Sequence, residues 1–239
     1  MTAVRVMLRG FGELLITAGI VVLLFCVYQL FYTNLAANRA MDDVRNGLHQ
    51  KWDGTAPRGK GASELPGFGR GEGFALIYIP RLGSDYVKPV LEGVSPGILD
   101  SGVGHYPETT MPGKLGNFSV AGHRATNGEP FAYLDGVRPG DRVVVETGTT
   151  WYTYIIDDPR MYADPDHVIQ FNRGNIIVSP ADVGVLSPVP YKPAKEPEES
   201  LITLTTCNPR WASYQRMIVF GHLESKQQKS DGPPAALRS

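Results

Sequence analysis

The stretch that decides the fold reads Thr203-Leu204-Thr205-Thr206-Cys207, and it is followed by Arg216 and the run Met217-Ile218-Val219-Phe220. Both runs are β-prone and enclose a turn, so they predict a strand, a turn and a second strand paired as an antiparallel hairpin. In such a hairpin the end of the first strand lies beside the start of the second. We therefore expect Cys207 and Arg216 to face one another across the hairpin mouth, with a thiol beside a permanent cation.

Working outward, residues 74–224 contain short apolar runs separated by Gly, Pro, Asn and Asp. This punctuation indicates a β-sandwich or a closed barrel with little helix. Single helical turns are expected at Pro96–Leu99, Pro130–Leu134 and Ala181–Leu186, and an exposed proline-rich loop at Ser187–Ser200. The eight predicted strands are Phe74–Ile79, Val87–Leu91, Asn117–Ala121, Arg142–Glu146, Trp151–Ile156, Asn175–Val178, Leu201–Thr206 and Met217–Leu223.

The N-terminal region contains an uncharged apolar run of 19 residues, Leu14 to Tyr32. That length crosses a bilayer core of about 30 Å as a helix. Arg5 and Arg9 precede the run and favour a cytoplasmic N-terminus, although basic residues also follow it. A cleaved signal peptide ending near Leu35-Ala36-Ala37 is the alternative, but its apolar core would be about 7–15 residues. We expect an uncleaved anchor, and either interpretation places the rest of the chain outside the cytosol.

These patterns divide the chain into five segments. The Gly- and Pro-rich composition from Trp52 to Gly73 predicts a linker, and the polar composition after Glu224 predicts disorder. The segments are a cytoplasmic N-terminus (1–13), a transmembrane helix (14–32), an extracytoplasmic stalk and linker (33–73), a catalytic barrel (74–224) and a disordered tail (225–239).

Charge and cysteine content exclude several classes of protein. The formal net charge is −1, so nothing points to a nucleic-acid partner. The two cysteines are Cys26, inside the apolar run, and Cys207, so a structural disulfide is not expected and a CxxC zinc site is excluded. A lone cysteine outside the cytosol is a candidate catalytic thiol. The alternative is a buried residue that acts as a small hydrophobe.

Acyl transfer by cysteine needs a thiolate, a proton carrier and a donor for the developing oxyanion. Cys207, His123 and Arg216 supply these functions, and Thr206 beside the thiol adds a further hydrogen-bonding group. His123 is favoured among the histidines because it follows a predicted strand and Gly122, where it can project from a barrel rim. His105, in Gly104-His105-Tyr106-Pro107, has the same ambiguity between a structural and a functional role.

The run TLTTC at 203–207, Arg216 and the upstream Ala121-Gly122-His123-Arg124 together resemble the sortases, in the order His, Cys, Arg. The resemblance covers about residues 74–224. Three further short sequence motifs are most similar to those of the class E sortases of high-GC Gram-positive bacteria. They are Ile79-Pro80-Arg81-Leu82-Gly83, Gly104-His105-Tyr106-Pro107 and Thr206-Cys207-Asn208-Pro209.

The resemblance implies a closed eight-stranded barrel and a cysteine transpeptidase, a thiol protease by its cleavage step. Some sortases bind calcium through acidic residues around the barrel loops, but this sequence shows no compact acidic cluster, so we assign no cofactor and no metal. It implies Cys207 as nucleophile, His123 as general acid and base, Arg216 as oxyanion and substrate ligand, and Thr206 as a substrate-binding residue. The expected partners are secreted proteins with C-terminal LAXTG- or LPXTG-like sorting signals, cut between Thr and Gly. The expected acceptor is an amine of the lipid-linked peptidoglycan precursor.

Two alternatives remain open at this point. One is a membrane-tethered β-rich binding domain in which Cys207 is buried and non-catalytic. The other is a sortase that assembles pili and uses a protein amine as acceptor. L,D-transpeptidases place Cys and Arg almost adjacent, and papain-like peptidases place Cys before His, so both fit this chain poorly.

Overall fold

The structure is a computed structural model that describes residues 2–28, 33–54, 67–162 and 164–238. Its α-helices are α1 (Thr2–Val27), α2 (Thr33–Gly54) and α3 (Pro96–Leu99). The strands are β1 (Gly73–Tyr78), β2 (Val87–Glu92), β3 (Val103–His105), β4 (Gly116–Ala121), β5 (Arg142–Glu146), β6 (Thr150–Ile156), β7 (Val168–Phe171), β8 (Ile176–Val178), β9 (Ser200–Asn208) and β10 (Gln215–Gln228).

Eight strands close into a barrel in the order β6-β5-β1-β2-β3-β4-β9-β10, because β10 pairs back onto β6. Strand β10 is long enough to serve two neighbours along one edge. Its residues 216–218 pair with β8, and its residues 221–228 pair with β6. The β7–β8 hairpin is therefore an extension outside the ring. The eight-stranded closed barrel expected from the sequence is confirmed.

The membership of the ring differs from the eight strands predicted. Strand β3 belongs to the barrel and was not predicted, because its three residues are too short to show a period-two pattern. Strand β8 was predicted but lies outside the ring. Of the short helices, α3 matches Pro96–Leu99 and a 3-10 turn at Val183–Leu186 lies within Ala181–Leu186, whereas the third turn forms at Leu134–Gly136.

Helix α2 packs on the outside of the barrel, against β1 and β2. Its buried residues Ala37, Met41 and Leu48 recur at the spacing of one helical face. Farther along the helix, a Cβ on Gly73 would meet Val44 and Leu48. Residues 33–54, assigned above to a stalk, thus form a helix that lies against the barrel. Most of the expected linker, residues 55–66, falls outside the described residues.

The expectation of a disordered tail from Ser225 is not met. Strand β10 continues through Gln228, with Ser225 to Gln228 paired to β6, and 3-10 turns follow at Lys229–Asp231 and Ala235–Leu237. The side chains here are polar, but the free edge of β6 supplies main-chain partners whatever the side chains are. Lys229 adds a 2.6 Å ion pair to the buried Glu146.

Helix α1 has the length and composition of a membrane-spanning helix over Ala3–Val27, and none of its apolar window is buried. The predicted span, residues 14–32, begins inside this helix, and its last four residues lie outside the described residues. The helix already begins at Thr2, so the described part of the predicted cytoplasmic segment is continuous with the span. Arg9 and Glu13 form an ion pair of 3.0 Å on its surface.

Candidate active site

The hairpin predicted from the sequence is present as β9 and β10. Their antiparallel register pairs Cys207 directly with Arg216 and Thr206 with Met217. Directly opposite residues project from the same side of a sheet, with Cβ atoms about 5 Å apart. The thiol of Cys207 is free and half-buried at the end of β9, so it is neither bonded to another cysteine nor sealed in the core.

The neighbouring strand β4 brings His123 to the same rim of the barrel. Strands β4 and β9 run parallel, with Ala121 paired to Thr205, and continuing this register by two residues sets His123 level with Cys207. Two hydrogen bonds hold the strand exit in place. The Gly122 N–H donates to the Thr205 carbonyl over 3.1 Å, and the Thr206 hydroxyl donates to the Gly122 carbonyl over 2.7 Å.

The imidazole of His123 is loosely held and partly open to solvent, with 24% of its side chain exposed. Its Nε2 lies 3.4 Å from Asp100 Oδ1 and 3.5 Å from Asn127 Nδ2, both long for hydrogen bonds. Asn127 Nδ2 also donates to Asp100 Oδ1. Sequence reasoning missed Asp100, because it lies 23 positions before His123 (123 − 100 = 23), and only the turn after α3 brings it back to the site.

The guanidinium of Arg216 is held by its own loop. Nη1 donates to the carbonyls of Ser213 and Gln215 over 2.8 and 2.9 Å. Within the part of the chain that the structure describes, no carboxylate lies within salt-bridge distance of Arg216, so its charge is not neutralised by an acidic side chain. The carbonyls orient the group, and the positive charge remains available to an anionic ligand.

Arg124, next to His123, is a second arginine of the site and is only 8% exposed. Its Nη1 donates to Asn208 Oδ1 over 2.7 Å and lies 3.5 Å from the carbonyl of Cys207, while Nη2 lies 3.4 Å from Asp135. It therefore holds the main chain that carries the thiol. In the sequence, Arg124 stands out only as the last residue of the Ala121–Arg124 motif, and no local pattern indicates this role.

Thr206 is 3% exposed, and its hydroxyl donates to the Gly122 carbonyl. The side chain thus joins the thiol-bearing strand to the segment that carries His123. Beside it, Thr205 Oγ1 lies 3.1 Å from the phenolic oxygen of Tyr106. The role of Thr206 in binding substrate stays a prediction, and its visible role in the structure is positional.

The other histidines do not join this site. His105 is buried in the barrel wall with its Nδ1 2.8 Å from Glu92. His222 lies farther along β10, paired with Leu201, and contacts Asp157. His167 is 3.7 Å from Asp182 on the outer hairpin side, and His49 lies on α2 against Trp52.

Residues 77–224 match the family model described as a sortase domain. The chain is 39% identical over 97% of its length to sortase SrtE1 of Streptomyces coelicolor, and spans 61% of that protein. It is 35% identical to SrtE2 of the same organism, with 95% of this chain and 87% of that one covered.

Solved structures agree with these relatives. Sortase E from Streptomyces avermitilis is 44% identical with a TM-score of 0.59, covering 72% of this chain and 100% of that one. The SrtF sortase from Corynebacterium diphtheriae is 34% identical with a TM-score of 0.63, covering 77% and 98%. Sortase family members are cysteine transpeptidases, and the family match over residues 77–224 includes Cys207, His123 and Arg216. The chain belongs to the sortase family, with class E sortases among its relatives.

Proposed function

We propose that this protein is a sortase that cuts an LAXTG- or LPXTG-like sorting signal between Thr and Gly and joins the Thr to a cell-wall amine. One observation carries the proposal. The register of β9 pairs Cys207 with Arg216 on one side, and on the other side its parallel pairing with β4 ends at Ala121 and Thr205, two residues before His123 and Cys207. A thiol, an imidazole and an unneutralised guanidinium thus meet at one rim of the barrel.

In the first step, the thiolate of Cys207 attacks the carbonyl carbon of the threonine. The C–S bond forms, the Thr–Gly C–N bond breaks, and His123 as imidazolium gives its proton to the departing glycine amine. Arg216 donates to the carbonyl oxygen while it carries negative charge. A planar guanidinium suits this role because it stays charged and its N–H donors are directional.

In the second step, an amine nitrogen attacks the thioester carbon. His123, now neutral, accepts the proton that the amine loses, and the sulfur of Cys207 leaves as thiolate. The enzyme returns to its starting state with one amide bond broken and one formed. Arg124 and Thr206 contribute by position. Arg124 donates to the side chain of Asn208 over 2.7 Å and lies 3.5 Å from the Cys207 carbonyl, and Thr206 donates to the Gly122 carbonyl over 2.7 Å.

The substrate class draws support from the relatives. The structure of S. coelicolor sortase E1, which is 40% identical to this chain, holds a tripeptide in its active site. We infer that this chain likewise accepts an extended peptide beside Cys207. The resemblance to class E sortases implies a preference for Ala over Pro in the sorting signal.

We also propose the topology. Arg5 and Arg9 lie before the predicted span and favour a cytoplasmic N-terminus, which sets the barrel outside the membrane. That side holds both expected partners, secreted proteins that carry sorting signals and the lipid-linked peptidoglycan precursor that carries the amine.

The test is a transpeptidation assay with the full chain in detergent. A labelled peptide containing Leu-Ala-Xaa-Thr-Gly is incubated with a glycine-based amine or with a lysine side-chain amine, and products are identified by mass spectrometry. We expect cleavage between Thr and Gly, joining to the amine, and loss of both in Cys207→Ala, with Cys26→Ala as the matched cysteine control. Turnover that survives Cys207→Ala contradicts the proposal. Peptide binding without cleavage by the unaltered chain would favour a binding domain.

A further inference from the structure

Three exposed aromatic side chains lie in and beside the loop that joins Cys207 to Arg216. Tyr133, Trp211 and Tyr214 are 64%, 68% and 65% exposed, and no other aromatic side chain in the described residues after α2 is as exposed. The guanidinium of Arg210 lies 4.9 Å from the centre of the Tyr133 ring and 5.6 Å from that of Trp211. We call Tyr133, Arg210, Trp211 and Tyr214 the aromatic patch.

The patch is tied to the first turn of α2 through Glu129. Arg210 Nη2 donates to Glu129 Oε2 over 2.6 Å, and Asn34 Nδ2 donates to Glu129 Oε1 over 3.2 Å. The hydrogen bond to Glu129 raises the pKa of Arg210. Asn34 Oδ1 in turn accepts the N–H of Gly128 over 3.2 Å. The aromatic patch, the segment that follows His123 and helix α2 are thus joined by hydrogen bonds around the carboxylate of Glu129.

Gly128 allows α2 to come this close. Its φ of +73° favours glycine, and a Cβ at this position would lie 1.9 Å from Met41 Cε on α2. Glu129 itself has a φ of +46°, uncommon for a residue with a side chain. The backbone conformation of Gly128 and Glu129 allows the first turns of α2 to pack against this segment. The contact with Asn34 is therefore part of the folded structure.

The first turn of α2 lies next to the membrane by chain connectivity. The apolar run ends at Tyr32, two residues before Asn34. Two residues extend at most about 7 Å, and the headgroup layer on each side of a bilayer is about 5–8 Å deep. With the span ending at Tyr32, as the sequence predicts, Asn34 lies at about headgroup depth.

We propose that the aromatic patch is a contact surface for the lipid headgroup layer, which holds the mouth of the active-site hairpin at the bilayer. Trp and Tyr favour this layer because their rings are apolar on one part and polar on another. Because Glu129 neutralises Arg210, the contact does not require anionic lipid. The inference rests on the membrane anchor of the proposed function, and it would let a lipid-linked amine reach the thioester from the membrane surface.

The test measures Trp fluorescence of the full chain reconstituted in phosphatidylcholine vesicles that contain a headgroup-nitroxide lipid as quencher. The background substitution is Trp52→Phe, which leaves Trp211 and the buried Trp151. We expect the nitroxide lipid to remove a large part of the Trp211 emission. The nitroxide is present in both leaflets, so the result does not depend on the direction in which the protein inserts.

The matched control moves the exposed indole to the opposite end of the barrel, by Trp211→Phe with Val183→Trp in the same background. Val183 is 69% exposed, close to the 68% of Trp211. It lies near the start of β4, where Asn117 donates to the carbonyl of Val185. We expect the control to keep its emission. Unchanged thermal unfolding midpoints show that both variants are folded.

Equal quenching in the two proteins, or none in either, overturns the proposal. Emission from Trp211 that ignores the nitroxide but shifts when a sorting-signal peptide is added also overturns it, because the patch is then a peptide contact. The measurement needs no turnover. If Trp211 is quenched but the enzyme is inactive, the membrane contact is supported and the proposed transpeptidase function is contradicted. If the enzyme is active but Trp211 is not quenched, the function is supported and the membrane contact is contradicted.

Discussion

His105 and His123 each follow a glycine at the end of a barrel strand, but their rings lie in different environments. The ring of His105 is buried, with Glu92 2.8 Å from Nδ1 and Thr109 Oγ1 3.1 Å from Nε2, and it stacks on Phe118. The ring of His123 is 24% exposed and its nearest polar partners are 3.4 Å or more away.

The difference separates a structural histidine from one suited to proton transfer. Both ring nitrogens of His105 are occupied by partners in a closed environment, so a substrate has no access to them. His123 is placed by its main chain, since its carbonyl accepts the Phe131 N–H over 2.9 Å, while its ring keeps room to meet a substrate. A Gly-His pair therefore indicates function here only where the partners of the ring are few and distant.

The largest expected effect is on activity, and it tests the proposed proton transfer by His123. His123→Gln should lower kcat/KM about 10³-fold, or about 4 kcal/mol in the transition state, because no group remains to move the proton. The thermal midpoint should stay unchanged, since the ring makes only long contacts. The control is His222→Gln, a half-exposed histidine on β10 that pairs with Leu201 away from the site. Near-normal turnover in His123→Gln would contradict the role of His123 in proton transfer, and with it the functional difference from His105.

The next effect is on stability. His105→Ala should lower the free energy of unfolding by about 3 kcal/mol, because it leaves a gap beside Phe118 and removes the partner of the largely buried Glu92. Urea unfolding of the full chain in detergent measures the loss, with the exposed His167→Ala as control. Activity per folded molecule should persist at low temperature. A variant that is stable yet inactive would give His105 a catalytic role instead.

The smallest expected effect concerns Asp100, the carboxylate near the ring of His123. Asp100 is 50% exposed, so its attraction to His123 is screened by solvent. Asp100→Asn should lower kcat/KM only about twofold to threefold, roughly 0.5 kcal/mol, and less so at high salt. Steady-state assays at two salt concentrations measure it, with Asp166→Asn as a distant control. A loss as large as that of His123→Gln would show that Asp100 orients the imidazole.

Several features were accessible from local sequence. The β-prone runs around 203–207 and 217–220 and the spacing between Cys207 and Arg216 specified a hairpin with its register, because a short loop leaves few ways to pair two strands. The apolar run from Leu14 was long enough to indicate a span. The exit of β4 at Gly122 marked His123 as a rim residue.

Other features arose from contacts between distant parts of the chain. Residues 225–228 became strand because β6 offered a free edge, although their side chains carry no β pattern. Strand β3 joined the ring through its neighbours β2 and β4 rather than through its own three residues. The site partners Asp100 and Arg124 and the carboxylate of Glu129 likewise depend on which loops meet at the rim.

The sequence by itself determined the apolar span, the β-rich class and the hairpin that pairs Cys207 with Arg216, and it predicted the thiol, imidazole and guanidinium of the candidate site. Each of these depends on residues close together in the chain, where composition and spacing limit the choices. Only the tertiary structure decided which strands close the barrel, that α2 lies on its wall, and which histidine stays open at the rim. Those outcomes depend on long-range pairing and burial, which no local pattern encodes.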